Sequence, residues 1–289
     1  MKIPTKKLRN GFEMPVFGIG TWQMGGRHFA NPQNDDLKDI EAIKTAIELG
    51  VTHIDTAEVY ANGHSEELVA EATSGYDRGK LFIVSKVNPL HFAFKDVISA
   101  CERSLNRLQT DYLDLYLLHA PNPLIPLEET MKAMDFLVDG GKIKNIGISN
   151  FAPETQEEAQ SFTKNKIVVN QIHYNLIVRE PETSGLLEAC QKEDIFLMAW
   201  RPVEKGLLAT TQLKILAEMC QKYSKTPAQI AINWLISQDH VISLAKSSNL
   251  DHLRENLGSV GWTMDKEDVE RLRADFPTQK EFSNTVPLG

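Results

Sequence analysis

The sequence predicts an α/β protein of the (β/α)8 barrel, or TIM barrel, class, and three observations point to it. Eight short apolar segments rich in β-branched residues recur along the chain, which is typical of buried parallel strands. Longer segments with apolar residues every three to four positions separate them, which indicates amphipathic helices. The residues between successive strands are enough for one helix and two loops. Eight such units make up a barrel of about 250 residues.

The bounds of these elements follow from residue types that start and stop helices. Gly50 stands where a helix would end before the second strand, and Gly140-Gly141 stands at the same place before the fifth. Thr226-Pro227 supplies the N-cap and first-turn residues of the last long helix before strand eight. The predicted strands are residues 16–19, 52–56, 81–84, 113–119, 143–149, 168–172, 195–200 and 241–244. The predicted helices include residues 36–49, 65–72, 97–108, 213–223 and 227–237.

The two ends of the chain lie outside the eight units. Residues 3–15 predict a β-hairpin that turns at Asn10-Gly11 and caps the bottom of the barrel. A short C-terminal tail follows about Phe276, so residues 1–289 are expected to form one domain. An open doubly wound sheet is the alternative, but a dinucleotide-binding one usually begins with G-x-G-x-x-G. Here Gly18-x-Gly20 is followed by Gln23 in place of the third glycine, which favours the barrel.

The composition excludes several classes of protein. Lys and Arg number 31 against 39 Asp and Glu, and the net charge of −8 argues against a dedicated nucleic-acid binder. No apolar run reaches the roughly 18 residues that a membrane-spanning helix needs. Three widely spaced cysteines form no disulfide framework, and the N-terminus lacks the apolar core of a signal peptide. The sequence therefore predicts a cytoplasmic protein that binds neither nucleic acid nor membrane.

Ionisable side chains gather at the predicted carboxyl ends of the strands, where barrel enzymes place their catalytic groups. Asp55, Lys86 and His119 come from strands two, three and four, and Tyr60 follows Asp55 by five positions. Each has an ordinary explanation when taken alone: a helix cap, a solvated amine or a hydrogen-bonded core histidine. The later strands add Ser149-Asn150, Gln171 and Lys246 at the same rim.

Four of these side chains together suit the proton half of carbonyl reduction. A phenol has a pKa near 10, which is too high for efficient proton exchange near neutrality. A neighbouring Lys86 ammonium would lower the pKa of Tyr60, and Asp55 would keep that ammonium charged and in place. A neutral His119 would donate a hydrogen bond to the carbonyl oxygen of a substrate. The set predicts protonation of an alkoxide as it forms.

From about Leu8 to about Asn256, the sequence resembles the aldo-keto reductases. The motifs that carry the resemblance occur in family order: Asn10-Gly-Phe-Glu-Met-Pro, Gly18-Ile-Gly-Thr-Trp22, His53-Ile-Asp-Thr-Ala57 with Tyr60, Val84-Ser-Lys-Val87, Leu117-Leu-His-Ala-Pro-Asn122, Gly147-Ile-Ser-Asn-Phe151, Gln171-Ile-His-Tyr-Asn175, and Lys246-Ser-Ser-Asn249 with Glu255-Asn256. The resemblance implies the (β/α)8 fold and NAD(P)H-dependent reduction of aldehydes and ketones. It also implies a catalytic tetrad of Asp55, Tyr60, Lys86 and His119, with Tyr60 as the general acid.

The resemblance further implies a nicotinamide cofactor across the barrel mouth. Ser149, Asn150 and Gln171 match positions that bind its carboxamide, and Trp200 matches the aromatic residue that stacks under its ring. Arg201-Pro202 replaces a common Ser-Pro, and Arg201 is expected either to pair with the cofactor or to face solvent. The complete set of expected cofactor contacts is Gly20, Thr21, Trp22, Asp55, Ser149, Asn150, Gln171, Trp200, Arg201, Pro202, Lys246, Ser247, Ser248, His252, Glu255 and Asn256.

The coenzyme choice depends on the segment after the last strand. Lys246, Ser247 and Ser248 match the family site for the 2′-phosphate, and a cation with two hydroxyls suits a phosphate. His252 stands where the family often has an Arg that pairs with the phosphate, and Arg254 lies about 200° further around the helix. NADPH is therefore the favoured cofactor, and NADH use remains possible.

The expected substrate is a small carbonyl compound. Trp22 and Phe92 are predicted as apolar pocket walls, with Tyr60 and His119 at the base. The loops at 120–128 and 203–212 and the tail after Phe276 are short, which predicts an open mouth that accepts various aldehydes and ketones. No HExxH or Cys/His cluster predicts a metal. The alternative function is a nicotinamide-nucleotide-binding regulatory subunit, and the expected state is a monomer or a weak homo-oligomer.

Overall fold

Eight parallel strands close into a barrel in the computed structural model, which describes residues 2–210 and 212–289. The strands are β1 (Thr5–Lys7), β2 (Glu13–Pro15), β3 (Phe17–Gly20), β4 (His53–Asp55), β5 (Phe82–Val87), β6 (Leu115–Leu118), β7 (Ile146–Ser149), β8 (Ile167–His173), β9 (Phe196–Trp200) and β10 (Val241–Ala245). β3 to β10 follow chain order around the ring, and β10 pairs with β3 to close it. The predicted fold class is confirmed, and each barrel strand lies within a few residues of its predicted bounds.

Helices surround the barrel and alternate with its strands. They are α1 (Asp36–Glu48), α2 (His64–Thr73), α3 (Phe94–Leu108), α4 (Leu127–Asp139), α5 (Pro153–Ser161), α6 (Glu180–Thr183), α7 (Leu186–Glu193), α8 (Leu207–Thr210), α9 (Lys214–Tyr223), α10 (Pro227–Ile236), α11 (Leu250–Leu257) and α12 (Lys266–Asp275). α10 starts as predicted: Thr226 and Gln229 form a reciprocal capping box, with Pro227 in the first turn. The predicted loop at 203–212 instead contains a 3₁₀ turn and α8, and its residue Thr211 lies outside the described residues.

The N-terminal hairpin caps the bottom of the barrel, as predicted. β1 pairs with β2 in antiparallel register, and Gly11 at the turn has a φ of +93°, which suits a residue without a Cβ. The Phe12 ring packs 6.1 Å from the rings of both Phe82 and Phe196, which belong to opposite sides of the barrel. Aromatic area buried between β5 and β9 therefore closes this end to solvent.

The tail after α12 is ordered along the rim of the barrel. The Lys280 amide donates to the carbonyl of Ile177 at 2.7 Å, and Gly289 and Ala152 pair through their backbones at 2.9 Å. The predicted tail is therefore short, but it covers part of the mouth on the side of β7 and β8. Within residues 2–210 and 212–289, no helix combines the length and the apolar character that crossing a bilayer requires.

Candidate active site

The two-residue period of a strand carries polar side chains to the mouth of the barrel. Residues two apart face the same side of a sheet, so a polar residue two positions beyond an inward apolar one also faces inward. Val84 lies in the apolar cluster inside the barrel, and Lys86 follows it on β5; Val169 and Gln171 repeat the pattern on β8. β5 runs three residues past its predicted end, so Lys86 lies within the strand rather than after it.

Lys86 is the centre of the predicted tetrad. Its side chain is fully buried, and its Nζ donates to the Asp55 carboxylate, to the Thr56 carbonyl at 2.8 Å and to the Tyr60 hydroxyl at 3.2 Å. These bonds use all three donors of an ammonium. On the far side of Asp55, the Gln171 amide donates to Oδ2 at 2.8 Å. A continuous chain of hydrogen bonds therefore joins Gln171, Asp55, Lys86 and Tyr60.

The surroundings of Lys86 keep its ammonium charged. Burial alone would lower the pKa of Lys86, but the Asp55 carboxylate and the Tyr60 hydroxyl outweigh it, and the pKa ends above its ordinary value. A buried charge is tolerated where it is paired and fully hydrogen-bonded, which is the case here. A fixed cation therefore stands against the hydroxyl of Tyr60.

A tight turn after β4 brings Tyr60 over Lys86. The turn is Tyr60–Gly63, in which Ala61 and Asn62 have left-handed φ values of 50° and 55°, and the Ala61 amide donates to the Arg27 carbonyl at 2.9 Å. That bond holds the turn against the loop that follows β3. The Lys86 Nζ lies 4.8 Å from the centre of the Tyr60 ring, so the cation also faces the aromatic ring. The position of Tyr60 is fixed from two sides.

Tyr60 and His119 are both neutral near physiological pH. Burial raises the pKa of Tyr60 above its ordinary value, and the lowering expected from Lys86 only partly offsets this. Burial, with a smaller effect of the Lys86 charge, lowers the pKa of His119 to about 3. The His119 ring makes no hydrogen bond within the described ranges. The site therefore holds a protonated phenol beside an uncharged imidazole that is free to bind a ligand oxygen.

Aromatic rings form one wall of the mouth. The Trp22 ring packs 4.9 Å from that of Tyr60 and 5.3 Å from that of His28, and the Tyr60 and His119 rings are 5.6 Å apart. Trp22 therefore lies beside the tetrad, where the sequence predicts a pocket wall. Phe92 does not: it is 1% exposed and packs in the core between barrel and helices. Its apolar side chain is accounted for by core packing.

The predicted carboxamide-binding residues lie together beside the tetrad. Ser149 Oγ donates to the Gln171 carbonyl at 2.9 Å, and the Asn150 amide nitrogen donates to Ser149 Oγ at 2.9 Å and to the His119 carbonyl at 3.2 Å. Asn150 Oδ1 is buried, and no described residue donates to it. A buried acceptor without a donor is costly. An amide N–H of a ligand would satisfy it, so these residues fit a carboxamide.

Trp200 is held by a residue to which the sequence prediction gives no role, His173. The two rings stack 4.1 Å apart at 13°. The two ring nitrogens of His173 bond Ser283 Oγ and Glu204 Oε2, each at 2.8 Å. His173 follows Gln171 by two positions on β8, so the period of the strand could have indicated it. Its contacts with the tail and with the loop after β9 lie far away in sequence and give no local signal.

Arg201 contacts the tail rather than facing freely into the mouth. Its Nη1 donates to Thr285 Oγ1 at 2.6 Å, and its guanidinium lies 5.0 Å from the centre of the Trp200 ring. Burial lowers the pKa of Arg201; Glu204 opposes this, and Arg27 in the loop after β3 adds to the lowering. Pro202, next along the chain, is buried. A cofactor contact by Arg201 therefore competes with the bond to Thr285.

The predicted 2′-phosphate site lies at the seam between β10 and β3. Lys246 is exposed, Ser247 Oγ donates to the Asn249 carbonyl at 2.7 Å, and Ser248 Oγ donates to Asp39 at 2.6 Å. Arg254 pairs with Asp251 in its own helix at 3.5 Å, which supports the inference that it does not replace the missing Arg. On α11, His252 is exposed, Glu255 is half-buried and Asn256 is buried.

Two further predicted contacts lie at the end of β3. Gly20 is its last residue and pairs with Asp55, so its backbone borders the tetrad. Thr21 is fully buried, and its hydroxyl accepts from Ser65 Oγ at 2.8 Å. The Thr21 side chain therefore packs between β3 and α2, and its cofactor contact stays a prediction. Among the described residues, no three His, Cys, Asp or Glu side chains converge in a group that could hold a metal ion.

Comparison with known proteins agrees with this geometry. The sequence model of the aldo/keto reductase family matches residues 16–274. Methylglyoxal reductase YeaE of Escherichia coli strain K12 is 36% identical, over 92% of this chain and 93% of its own. The crystal structure of the thermostable aldo-keto reductase Tm1743 with the inhibitor epalrestat is 43% identical, with a TM-score of 0.90 over 93% of this chain and 98% of its own. An aldo/keto reductase of Klebsiella pneumoniae in complex with NADP and acetate is 32% identical, with a TM-score of 0.84 over 100% of both chains.

These matches bear on the sequence predictions. They confirm NAD(P)H-dependent carbonyl reduction, and they give no support to the regulatory-subunit alternative. The family match includes all four tetrad residues and the seam beside Lys246. The chain belongs to the aldo/keto reductase family.

Proposed function

We propose that this protein is an alcohol-forming carbonyl reductase in which Tyr60 protonates the substrate oxygen. The observation that carries the proposal is the buried chain of hydrogen bonds from Gln171 through Asp55 and Lys86 to Tyr60. This chain holds the positive charge of Lys86 next to the Tyr60 hydroxyl, which donates the proton. As Tyr60 loses its proton, Lys86 stabilises the phenolate that forms, and Asp55 keeps Lys86 charged and in place.

His119 orients the substrate in this mechanism. Its neutral imidazole lies 5.6 Å from the Tyr60 ring, between centroids, so one oxygen atom can receive bonds from both side chains. A neutral donor polarises the carbonyl without competing with Tyr60 as the acid. When bound, the nicotinamide cofactor supplies a hydride to the carbonyl carbon. Tyr60 donates its proton to the oxygen, and Lys86 holds the phenolate until a proton returns from solvent.

The residues of this chain suit a nicotinamide dinucleotide at four places. Asn150 Oδ1 offers a buried acceptor to a carboxamide N–H, and Trp200 offers a ring held flat by His173. Arg201 is a cation on the pyrophosphate side, and Lys246 is an exposed cation at the adenine end. NADPH is the favoured cofactor, and the relative from Klebsiella pneumoniae is described with NADP bound.

Small aldehydes, including 2-oxoaldehydes, are the proposed substrate class. The tail and Trp22 narrow the mouth on two sides, which limits the size of the group that reaches Tyr60. The relative from Escherichia coli is named a methylglyoxal reductase, which supports a small, polar substrate. The protein is further proposed to act in the cytoplasm, as a single domain over residues 1–289 and as a monomer or weak homo-oligomer, which light scattering after gel filtration would measure.

A turnover panel tests the proposed function. Purified protein is mixed with NADPH or NADH and with methylglyoxal, 4-nitrobenzaldehyde or a bulky ketone, and absorbance is followed at 340 nm. We expect turnover of the small aldehydes, with NADPH preferred. The alcohol product is identified by chromatography. Measurable binding of NADPH with no absorbance loss across the panel would contradict the proposal.

A further inference from the structure

The closure of the barrel places a carboxylate beside the proposed 2′-phosphate site. β10 pairs with β3, and α11, which follows the loop after β10, packs against α1. Ser248 from this loop donates its hydroxyl proton to Oδ1 of Asp39 at 2.6 Å. Asp39 is 5% exposed, and its Oδ2 accepts from the Gly25 amide at 3.0 Å and from the Asn34 side chain at 2.8 Å. One oxygen of Asp39 is thus fixed against Ser248.

Both serine hydroxyls that could donate to a 2′-phosphate already bond other groups of the protein. Ser248 gives its proton to Asp39, and Ser247 gives its proton to the Asn249 carbonyl. Lys246 makes no ion pair within residues 2–210 and 212–289, so it remains as the available cation. The residue as a whole is exposed, but partial desolvation of its ammonium lowers the pKa of Lys246; the Asp39 charge opposes this, and Lys38 adds to the lowering. The negative charge of Asp39 therefore acts on Lys246 as well as on Ser248.

The bond between Ser248 and Asp39 discriminates between two kinds of ligand. A phosphate only accepts hydrogen bonds, so Ser248 can serve it only by giving up the charge-assisted bond to Asp39. The released carboxylate would then face a second anion. A ribose hydroxyl can instead donate to Ser248 Oγ, because a hydroxyl oxygen accepts as well as donates. In other nucleotide sites, an acidic residue that binds the ribose 2′-hydroxyl favours NAD over NADP.

We propose that Asp39 is a specificity-determining residue for the coenzyme. By holding the hydroxyl of Ser248, it weakens binding of the 2′-phosphate and limits the preference for NADPH over NADH. The proposal rests on the proposed function, because it takes the loop after β10 as the adenine end of the cofactor site. Asp39 lies on α1 and belongs to none of the segments that the sequence connects with the cofactor.

The substitution Asp39→Asn tests this role with little change of shape. Asn keeps one oxygen as the acceptor for Gly25 and Asn34, and its NH₂ can donate to Ser248 Oγ. The hydroxyl proton of Ser248 is then free for a phosphate. We expect the Kd for NADPH to fall roughly tenfold and the Kd for NADH to change less than about twofold. Tryptophan fluorescence titration measures both Kd values without turnover. The Kd values of 2′,5′-ADP and 5′-AMP, which lack the nicotinamide half and differ in the 2′-phosphate, report on the adenine end alone.

Two further variants separate this role from a structural one. Asp35→Asn removes a charge at the start of the same helix and keeps an N-cap side chain, so the ratio of the two Kd values should not move. Ser248→Ala leaves the Asp39 carboxylate uncovered, and we expect NADPH to weaken about threefold relative to NADH. Thermal melting shows whether Asp39→Asn is folded. If it is not, Ser248→Ala still tests the proposal.

The outcomes distinguish this proposal from the proposed function. If the wild-type protein binds neither coenzyme and turns over no aldehyde, the proposed function itself is wrong. If the wild-type protein binds and reduces as expected, but Ser248→Ala and any folded Asp39→Asn variant keep the wild-type ratio of Kd values, Asp39 has no role in coenzyme choice. A shift in Asp35→Asn as large as that in Asp39→Asn would equally overturn the proposal, since it would show a general charge effect.

Discussion

The two halves of the barrel differ in how their functional side chains are engaged. In the first half, β3 to β6, Asp55, Lys86 and Tyr60 bond one another and are ready for chemistry. In the second half, β7 to β10, the proposed cofactor residues bond other parts of the protein: Arg201 bonds the tail, and Ser248 bonds α1. The first half is organised in advance, whereas the second half has to exchange partners when a cofactor arrives.

Backbone strain, by contrast, occurs in both halves: Ala61 and Asn62, in the turn that carries Tyr60, have φ values of 50° and 55°. The loop after β9 has Arg201, Glu204 and Lys205 at φ values of 56°, 44° and 57°, a region that L-residues rarely adopt. Conformations of this kind cost free energy and cluster at ligand clamps. The loop lies directly after Trp200 and beside the tail. The halves therefore differ in the partners of their side chains rather than in backbone strain: the proton-transfer residues bond one another, while the proposed cofactor residues bond other parts of the protein.

Tyr60→Phe is the strongest test of the first half. The variant keeps the ring that packs on Trp22 and removes the proton donor, so kcat should fall by about two to four orders of magnitude. The Kd for NADPH should stay within about twofold, because the cofactor residues are untouched. Steady-state kinetics and fluorescence titration measure the two quantities. Full activity in this variant would remove Tyr60 from the mechanism.

Lys86→Met tests whether the tetrad is also a structural unit. The variant leaves the Asp55 carboxylate buried with one donor, from Gln171, so the free energy of unfolding should fall by about 3–5 kcal/mol. Urea denaturation followed by circular dichroism measures it. Lys132→Met is the matched control, because that Lys pairs with Glu128 on an exposed helix face and should change stability little. Equal effects of the two variants would contradict a preorganised first half.

Lys246→Ala probes the second half. Loss of the exposed cation at the adenine end should raise the Kd for NADPH about tenfold, because a charge-assisted bond to phosphate is lost. The Kd for NADH and kcat at saturating cofactor should change little. Isothermal titration with each coenzyme measures the difference. A parallel loss for both coenzymes would place the function of Lys246 away from the 2′ position and weaken the division between the halves.

The smallest effect concerns His53, two positions before Asp55 in the first half. Burial, with the Lys86 charge, lowers the pKa of His53 to about 3, against 6.5 in the unfolded chain. Below pH 6.5 the unfolded state binds a proton that the folded state does not, so stability falls as the pH falls toward 3. The slope is at most about 1.4 kcal/mol per pH unit.

His53→Gln should reduce the slope of the free energy of unfolding against pH by up to about 1.4 kcal/mol per pH unit, which corresponds to one proton. Urea midpoints between pH 7 and pH 5 measure the slope for the wild type and for the variant. His252→Gln serves as the control for the loss of a histidine, since His252 is exposed. An unaltered slope in His53→Gln would mean that other groups govern the acid sensitivity of the barrel.

Strand positions and the chemistry at their ends could be predicted from the sequence, because both depend on local pattern. Asp55, Lys86, His119 and Gln171 stand at the ends of apolar runs, and the two-residue period fixes their inward direction. The sign of the pKa change at Tyr60 could not be predicted, since it depends on burial that outweighs the neighbouring charge.

Contacts between remote segments could not be predicted for a different reason. Two such contacts are the stack of His173 on Trp200 and the bond of Ser248 to Asp39. They form only when the barrel closes and the C-terminal tail packs against its mouth. Phe92 shows the reverse case: an apolar residue in the right loop was predicted to line the pocket, but the core between barrel and helices buries it. Residue type alone does not tell which side of a loop faces the mouth.

Two of the hydrogen bonds between side chains that join the halves lie at the functional sites, and they matter for protein engineering. Gln171 reaches across the mouth to Asp55, and Ser248 reaches across the seam to Asp39. A chimera that takes β7 to β10 from another barrel would exchange the coenzyme module and leave the proton-transfer module intact. Such a chimera needs compatible partners at both positions, so these two pairs are constraints on where chains can be recombined to make new reductases from this scaffold.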